Sequence, residues 1–133
     1  MAANNPYKSY QQNSVLQSTP GELTLMLYNG CLKFLNMAKK GIENNNIEMK
    51  NINIQKSQNI LRELMITLDM SVPVSESLQV LYEYMIHQLV EANIKNDPTL
   101  IDEVSGYITE FKETWKQVIQ MNRQQQYTSV GEI

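Results

Sequence analysis

Between Ser14 and Leu35 the chain reads SVLQSTPGELTLMLYNGCLKFL, a polar leader that turns into a helix with more apolar residues than one buried face can use. Thr19 is placed to cap the helix start, Pro20 suits the first helical position, and Glu22 completes a Thr-x-x-Glu capping box. At about 100° per residue, Leu23, Met26, Leu27, Gly30, Phe34, Met37 and Ala38 fall on one side, and Leu25, Tyr28, Leu32 and Leu35 on the other. A helix apolar nearly all round has to be covered on both faces, by its own bundle and by something further. This excess constrains both the fold and the kind of work the chain does.

The remainder supplies the bundle. Residues 1–17 are polar, with Tyr7, Tyr10, Val15 and Leu16 set into them without helical period, and are expected to form an irregular arm docked by its aromatics. The first helix is expected from Thr19 to about Lys40, with Gly41 as its stop and Asn44, Asn45 and Asn46 as turn and cap. A second fits Ile47 to Leu68, where Ile47, Ile54, Leu61 and Leu68 recur every seven residues; Ile52 and Ile66 lie off that seam. Pro73 breaks the pattern, and Ser75 is the expected cap of a third helix presenting Leu78, Leu81, Tyr82, Met85, Leu89 and Ala92, with Val80, Tyr84 and Val90 as outliers. Asp97 and Pro98 open a fourth, whose stripe of Leu100, Val104, Tyr107, Ile108, Phe111, Trp115 and Val118 ends near Asn122. Short connections imply antiparallel neighbours. The expected fold is all-α: an antiparallel four-helix bundle over residues 18–122, an N-terminal arm over 1–17 and a flexible polar C-terminal tail over 123–133.

With 133 residues and 15.4 kDa the chain fits one domain with a real core. A net charge of -3 without a basic-aromatic run argues against nucleic acid. No segment approaches the roughly 20 apolar residues of a membrane span, and the polar start lacks a signal peptide's apolar core. A lone cysteine, Cys31, excludes an internal disulfide and suits a reducing cytoplasm.

Catalytic chemistry finds no purchase. The one histidine, His87, follows Glu83 by four residues, which is not the Glu-x-x-His pair of di-iron bundles, and reads as a surface histidine beside a carboxylate. Cys31, flanked by Gly30, Leu32 and Phe34, reads as a buried small hydrophobe. No Gly-rich turn follows a strand to cradle phosphate. Neither a metal, a cofactor nor an enzymatic site is expected. What remains is a binding module, whose grooves accept amphipathic helices of a partner that is disordered when free. The rival reading is a small helical sensor or ligand-binding bundle with a closed internal pocket.

The stretch YQQNSVLQSTPGELTLMLYNGCLKFL, residues 10–35, resembles the opening signature of the flagellar secretion chaperone FliS family: a tyrosine arm, a Val, a Ser/Thr-Pro cap, then Leu-Met-Leu-Tyr-Asp/Asn-Gly. LYEYM at Leu81 to Met85, Ala92 with Asn93, and Trp115 are similar to the family in order and spacing, and the first helix resembles a Bacillus-like version. At Gln17-Ser18-Thr19-Pro20 the chain departs from the Thr-Ala-Ser-Pro of many members while keeping the cap oxygen on Thr19. The resemblance implies a cytoplasmic export chaperone that holds the disordered C-terminal segment of flagellin, prevents premature polymerisation and helps deliver it to the type III export gate. It also implies that Tyr7 and Tyr10 act from the arm, with Val15 and Leu16 leading into the bundle. Combining both lines, the expected partner-binding residues are Tyr7, Tyr10, Val15, Leu16, Leu25, Tyr28, Leu32, Leu35, Ile52 and Ile66. The export gate and other flagellar regulators are further candidate partners, and the free protein is expected as a monomer or weak homodimer.

Overall fold

Four helices follow one another through the computed structural model, which describes residues 20–131, with side chains over 21–121: α1 (Pro20–Glu43), α2 (Ile47–Ile66), α3 (Pro73–Lys95) and α4 (Pro98–Gly131). Each packs on the next, and α4 closes on α1. All neighbours run antiparallel, because contacts pair the start of one helix with the end of the next. The Trp115 indole donates to the Gly21 carbonyl at 2.7 Å, and Lys39 pairs with Asp102 at 2.9 Å, tying both ends of α1 to α4. Lys50 in the first turn of α2 reaches the Asn93 carbonyl at the end of α3. The arm residues Tyr7, Tyr10, Val15 and Leu16, and the Thr19 cap, lie outside the described residues.

Asparagines shape one end of the bundle. Asn45 and Asn96 both adopt left-handed conformations, and the next residue's amide reaches back five positions, Asn46 to Gly41 at 2.8 Å and Asp97 to Ala92 at 3.1 Å. Asn tolerates this conformation better than other side-chain-bearing residues, so it ends α1 and α3 where glycine is usual. Asn46 then caps α2, its side chain accepting from the Met49 amide at 3.0 Å. The α4 start is as its sequence suggests, with Asp97 accepting from the Thr99 amide at 2.9 Å.

Two expected signals are corrected. Gly41 does not stop α1, which continues to Glu43. It is buried, and a Cβ there would lie 2.6 Å from the Lys50 backbone nitrogen, so the glycine serves the close approach of α2. Ser75 does not cap α3, which begins at Pro73 after Val72. Its hydroxyl instead donates to the Asp69 carbonyl at 2.5 Å, closing the connection from α2. The fourth helix continues to Gly131, past the Asn122 end suggested by its apolar stripe.

Candidate partner-binding surface

The core decides which apolar residues remain for a partner. On α1 the buried apolar side chains are Leu27, Tyr28, Cys31, Phe34, Leu35 and Ala38. Their spacing of three and four defines one broad face centred on Cys31. The two stripes read from the sequence are the flanks of this face, and the structure corrects the division: Tyr28 and Leu35 belong to the core, while Leu23, Met26 and Met37 are only half-buried. The Tyr28 hydroxyl is 2.9 Å from that of Tyr82. Phe111 packs edge-on against Tyr82 at 6.0 Å and tilted against Tyr28 at 6.2 Å, so three rings from α1, α3 and α4 meet inside the bundle.

Burial dominates the electrostatics of this centre. It pushes the Cys31 thiol up to about 12 and raises Tyr82 further, helped by the Tyr28 hydroxyl. Burial also raises Tyr28, against the opposing effect of its hydrogen bond with Tyr82. These groups stay protonated at neutral pH and act as packing elements, not as nucleophiles or bases. Among the described residues, no group of three or more His, Cys, Asp or Glu comes together to hold a metal, and no helix is long and apolar enough to cross a membrane.

The other expected site residues divide between two places. Leu25 and Leu32 are half-buried, in the same heptad column as Lys39, whose partner Asp102 marks that flank as the α4 side of α1. Ile52 and Ile66 lie outward on α2 at 41% and 79% exposure. Lys56, one turn beyond Ile52, stands 5.2 Å over the Phe34 ring and places this column beside the opposite flank of α1. Ile52 and Ile66, fourteen residues apart, are separated by about 21 Å along the axis. The candidate residues therefore mark a band around α1 and α2, not one pocket.

Other exposed apolar residues had no part in the expected site. Met70, Val72 and Val74 follow Ile66 through the connection into α3, and Val118 and Met121 sit toward the same end on α4. Along α3, Val80, Tyr84, Val90 and Ile94 are exposed. Their three- and four-residue intervals through His87 and Glu91 were available in the sequence, but a single off-face residue is common and signals nothing by itself.

The bundle is thus a closed helical core with apolar residues left exposed on its outside. Residues 3–122 match the model of the family described as flagellar protein FliS. The chain is 53% identical over 131 residues to the flagellar secretion chaperone FliS of Bacillus subtilis (strain 168), covering 98% of each. It is 39% identical to the flagellar secretion chaperone FliSB of Pseudomonas aeruginosa, covering 86% of this chain and 96% of that protein. Against the flagellar secretion chaperone FliS of Salmonella typhimurium identity is 32%, with coverages of 84% and 87%. The chain belongs to the FliS family, a family of chaperones and not of enzymes.

Proposed function

We propose that this chain is a cytosolic export chaperone that binds the disordered C-terminal segment of flagellin, keeps it from polymerising and assists its delivery to the flagellar type III export apparatus. The observation that carries the reading is the exposure of Ile52 and Ile66 outside a core already closed by Leu61, Leu64 and Ile60 of the same helix. With Leu25 and Leu32 on the far flank of α1, these residues suit a cargo laid around the bundle in an extended, partly helical path. Such a wrap offsets the entropy lost by ordering the cargo, on the order of 2–5 kcal/mol. The arm, with Tyr7, Tyr10, Val15 and Leu16, is proposed to cover part of the same band until cargo replaces it. Contacts with the export gate and with flagellar regulators complete the reading, and the free protein is a monomer or weak homodimer.

The test is binding of a flagellin C-terminal peptide to the full chain, Ile52→Asp, Ile66→Asp and Leu32→Asp, each checked for helicity. A loss of about tenfold or more is expected for the exposed isoleucines. Undiminished affinity in all three folded variants would refute the placement. Full-length flagellin should be retained from a lysate while flagellin lacking its C-terminal segment is not.

A further inference from the structure

The outer face of α3 carries an apolar stripe unlike that of α2 in its electrical setting. Val80 and Ile94 are 62% and 71% exposed, and Tyr84 and Val90 are each 40% exposed. Fourteen residues separate the ends of the stripe, giving a length of about 21 Å, or four turns. His87 sits on the same face, and its Nε2 is 3.9 Å from Glu91. The surrounding charges are mostly acidic: on α3 itself Glu76, Glu83 and Glu91 are offset only by Lys95, which Glu91 already engages at 3.1 Å, and the α2 side adds Arg62, one turn beyond the Gln58 that donates to the Ile86 carbonyl. On the neighbouring rim, Glu103 accepts from Tyr84 and Gln88, each at 2.8 Å, and exposed Glu110 lies two turns further along α4. Glu76, Glu83 and Glu110 form no ion pair among the described residues. By contrast, Ile52 and Ile66 on α2 stand among Lys56, Arg62 and Glu63, a mixed setting.

We infer that the α3 face, with Val80, Tyr84, Val90 and Ile94 as its apolar anchors, Glu76 and Glu83 in the Val90 column between them and Glu110 at its α4 edge, is a second docking surface, for a basic amphipathic helix of a partner protein. Spaced apolar residues on an exposed helix match the i, i+3, i+4, i+7 anchors of a facing helix. The uncompensated carboxylates choose its sign, because a lysine-flanked helix gains Coulomb attraction where a glutamate-flanked one is repelled. The same carboxylates argue against an anionic lipid surface, which attracts basic segments. This inference does not depend on the flagellin reading, since it uses a different helix and opposite charge logic. A four-turn contact falls at the small, transient end of protein interfaces.

The probe is a labelled peptide of about 18 residues with leucines at helical spacing and lysines elsewhere, and a matched peptide with glutamates in place of lysines. Anisotropy is measured against the full chain, Val90→Asp, Val90→Ser, Glu83→Lys and Ile52→Asp, all confirmed helical. The lysine peptide should bind in a salt-sensitive manner and the glutamate peptide should not. Val90→Asp, Val90→Ser and Glu83→Lys should each weaken binding about tenfold, and Ile52→Asp should leave it unchanged. Val90→Asp separates docking from mere charge attraction, because the added carboxylate strengthens the latter. Unchanged or tighter binding by both Val90 variants would overturn the proposal, as would equal binding of the two peptides. Loss of binding equally in Ile52→Asp, or self-association of the free chain abolished by Val90→Asp, would also overturn it, the last assigning the face to a second copy.

Discussion

The hydroxyls of Tyr28 on α1 and Tyr82 on α3 lie 2.9 Å apart inside the bundle, joining two helices that are not consecutive neighbours in its ring. Each hydroxyl satisfies the other in a site from which water is nearly excluded, with Tyr82 2% and Tyr28 6% exposed. Removing one leaves the other short of a partner, which costs about 1–3 kcal/mol when the survivor is buried. Tyr28→Phe orphans the deeper hydroxyl and should be the costlier change. The double phenylalanine variant should be less destabilised than the sum of the singles in urea unfolding; strict additivity would show that the bond contributes nothing.

Gly41 and Gly106 make opposite predictions for the same substitution. Gly41→Ala places a Cβ 2.6 Å from the Lys50 nitrogen and 2.9 Å from its Cα, both backbone atoms that cannot move without shifting α2. The overpacking cost, about 1–3 kcal/mol, should outweigh a gain of about 1 kcal/mol in helix propensity. At Gly106 nothing lies within 4 Å, so Gly106→Ala should stabilise by about 0.5–1 kcal/mol. Thermal unfolding of the two variants gives the signs directly.

These glycines also show what a sequence makes legible. Local chemistry was readable: the Asn46 cap, the Asp97-Pro98 start of α4 and the α3 core positions Tyr82, Met85, Leu89 and Ala92 all stand where their patterns put them. Roles defined by a distant partner were not. Gly41 carries the local mark of a helix end, yet its function is the approach of Lys50; Ser75 resembles a cap, yet its hydroxyl serves Asp69. Periodicity gave the angular order of residues on α1 without the direction of the bundle centre, so one face centred on Cys31 read as two. Lys50, Asn53 and Ser57 occupy buried α2 positions that no apolar pattern announces, because each is satisfied by a specific carbonyl or amide oxygen. In the candidate surface, Ile52 and Ile66 were visible as off-seam residues, while the grouping of Ile94 with Val80, Tyr84 and Val90 needed their exposure in the folded bundle.

Trp115 offers a probe of how α4 is fastened to the start of α1. Its indole N–H donates to the Gly21 carbonyl at 2.7 Å, and Gly21 also faces Ile119. Trp115→Phe keeps an aromatic ring and removes the donor, with an expected loss of about 0.5–1.5 kcal/mol. Trp115→Leu removes the ring as well and should cost more, because ring packing is lost with the bond. Equal stability of wild type and Trp115→Phe in urea unfolding would show that the bond contributes no net stability.

Alkaline pH should unfold this bundle through its buried acids. In the unfolded chain the Cys31 thiol titrates near 9.0, whereas in the folded chain it is held up to about 12 by burial. Between those values the unfolded state releases a proton that the folded state keeps, so stability falls as pH rises, by up to about 1.4 kcal/mol per pH unit for the one group. Below pH 9 both states hold the proton and the thiol gives no slope. Tyr28 and Tyr82, raised from 10.0, add losses of the same sign above pH 10. Lys39, raised chiefly by its hydrogen bond to Asp102, acts in the same direction, since its ion pair weakens as the ammonium deprotonates. The urea midpoint should therefore be level from about pH 7 to 8.5 and decline steeply from about pH 9.5. Cys31→Ala should start lower because of the space it leaves, yet show a shallower decline between about pH 9 and 10, before the tyrosines contribute. A midpoint that stays level to pH 11, or an unaltered slope in Cys31→Ala, would contradict a thiol buried at the centre of the α1 face.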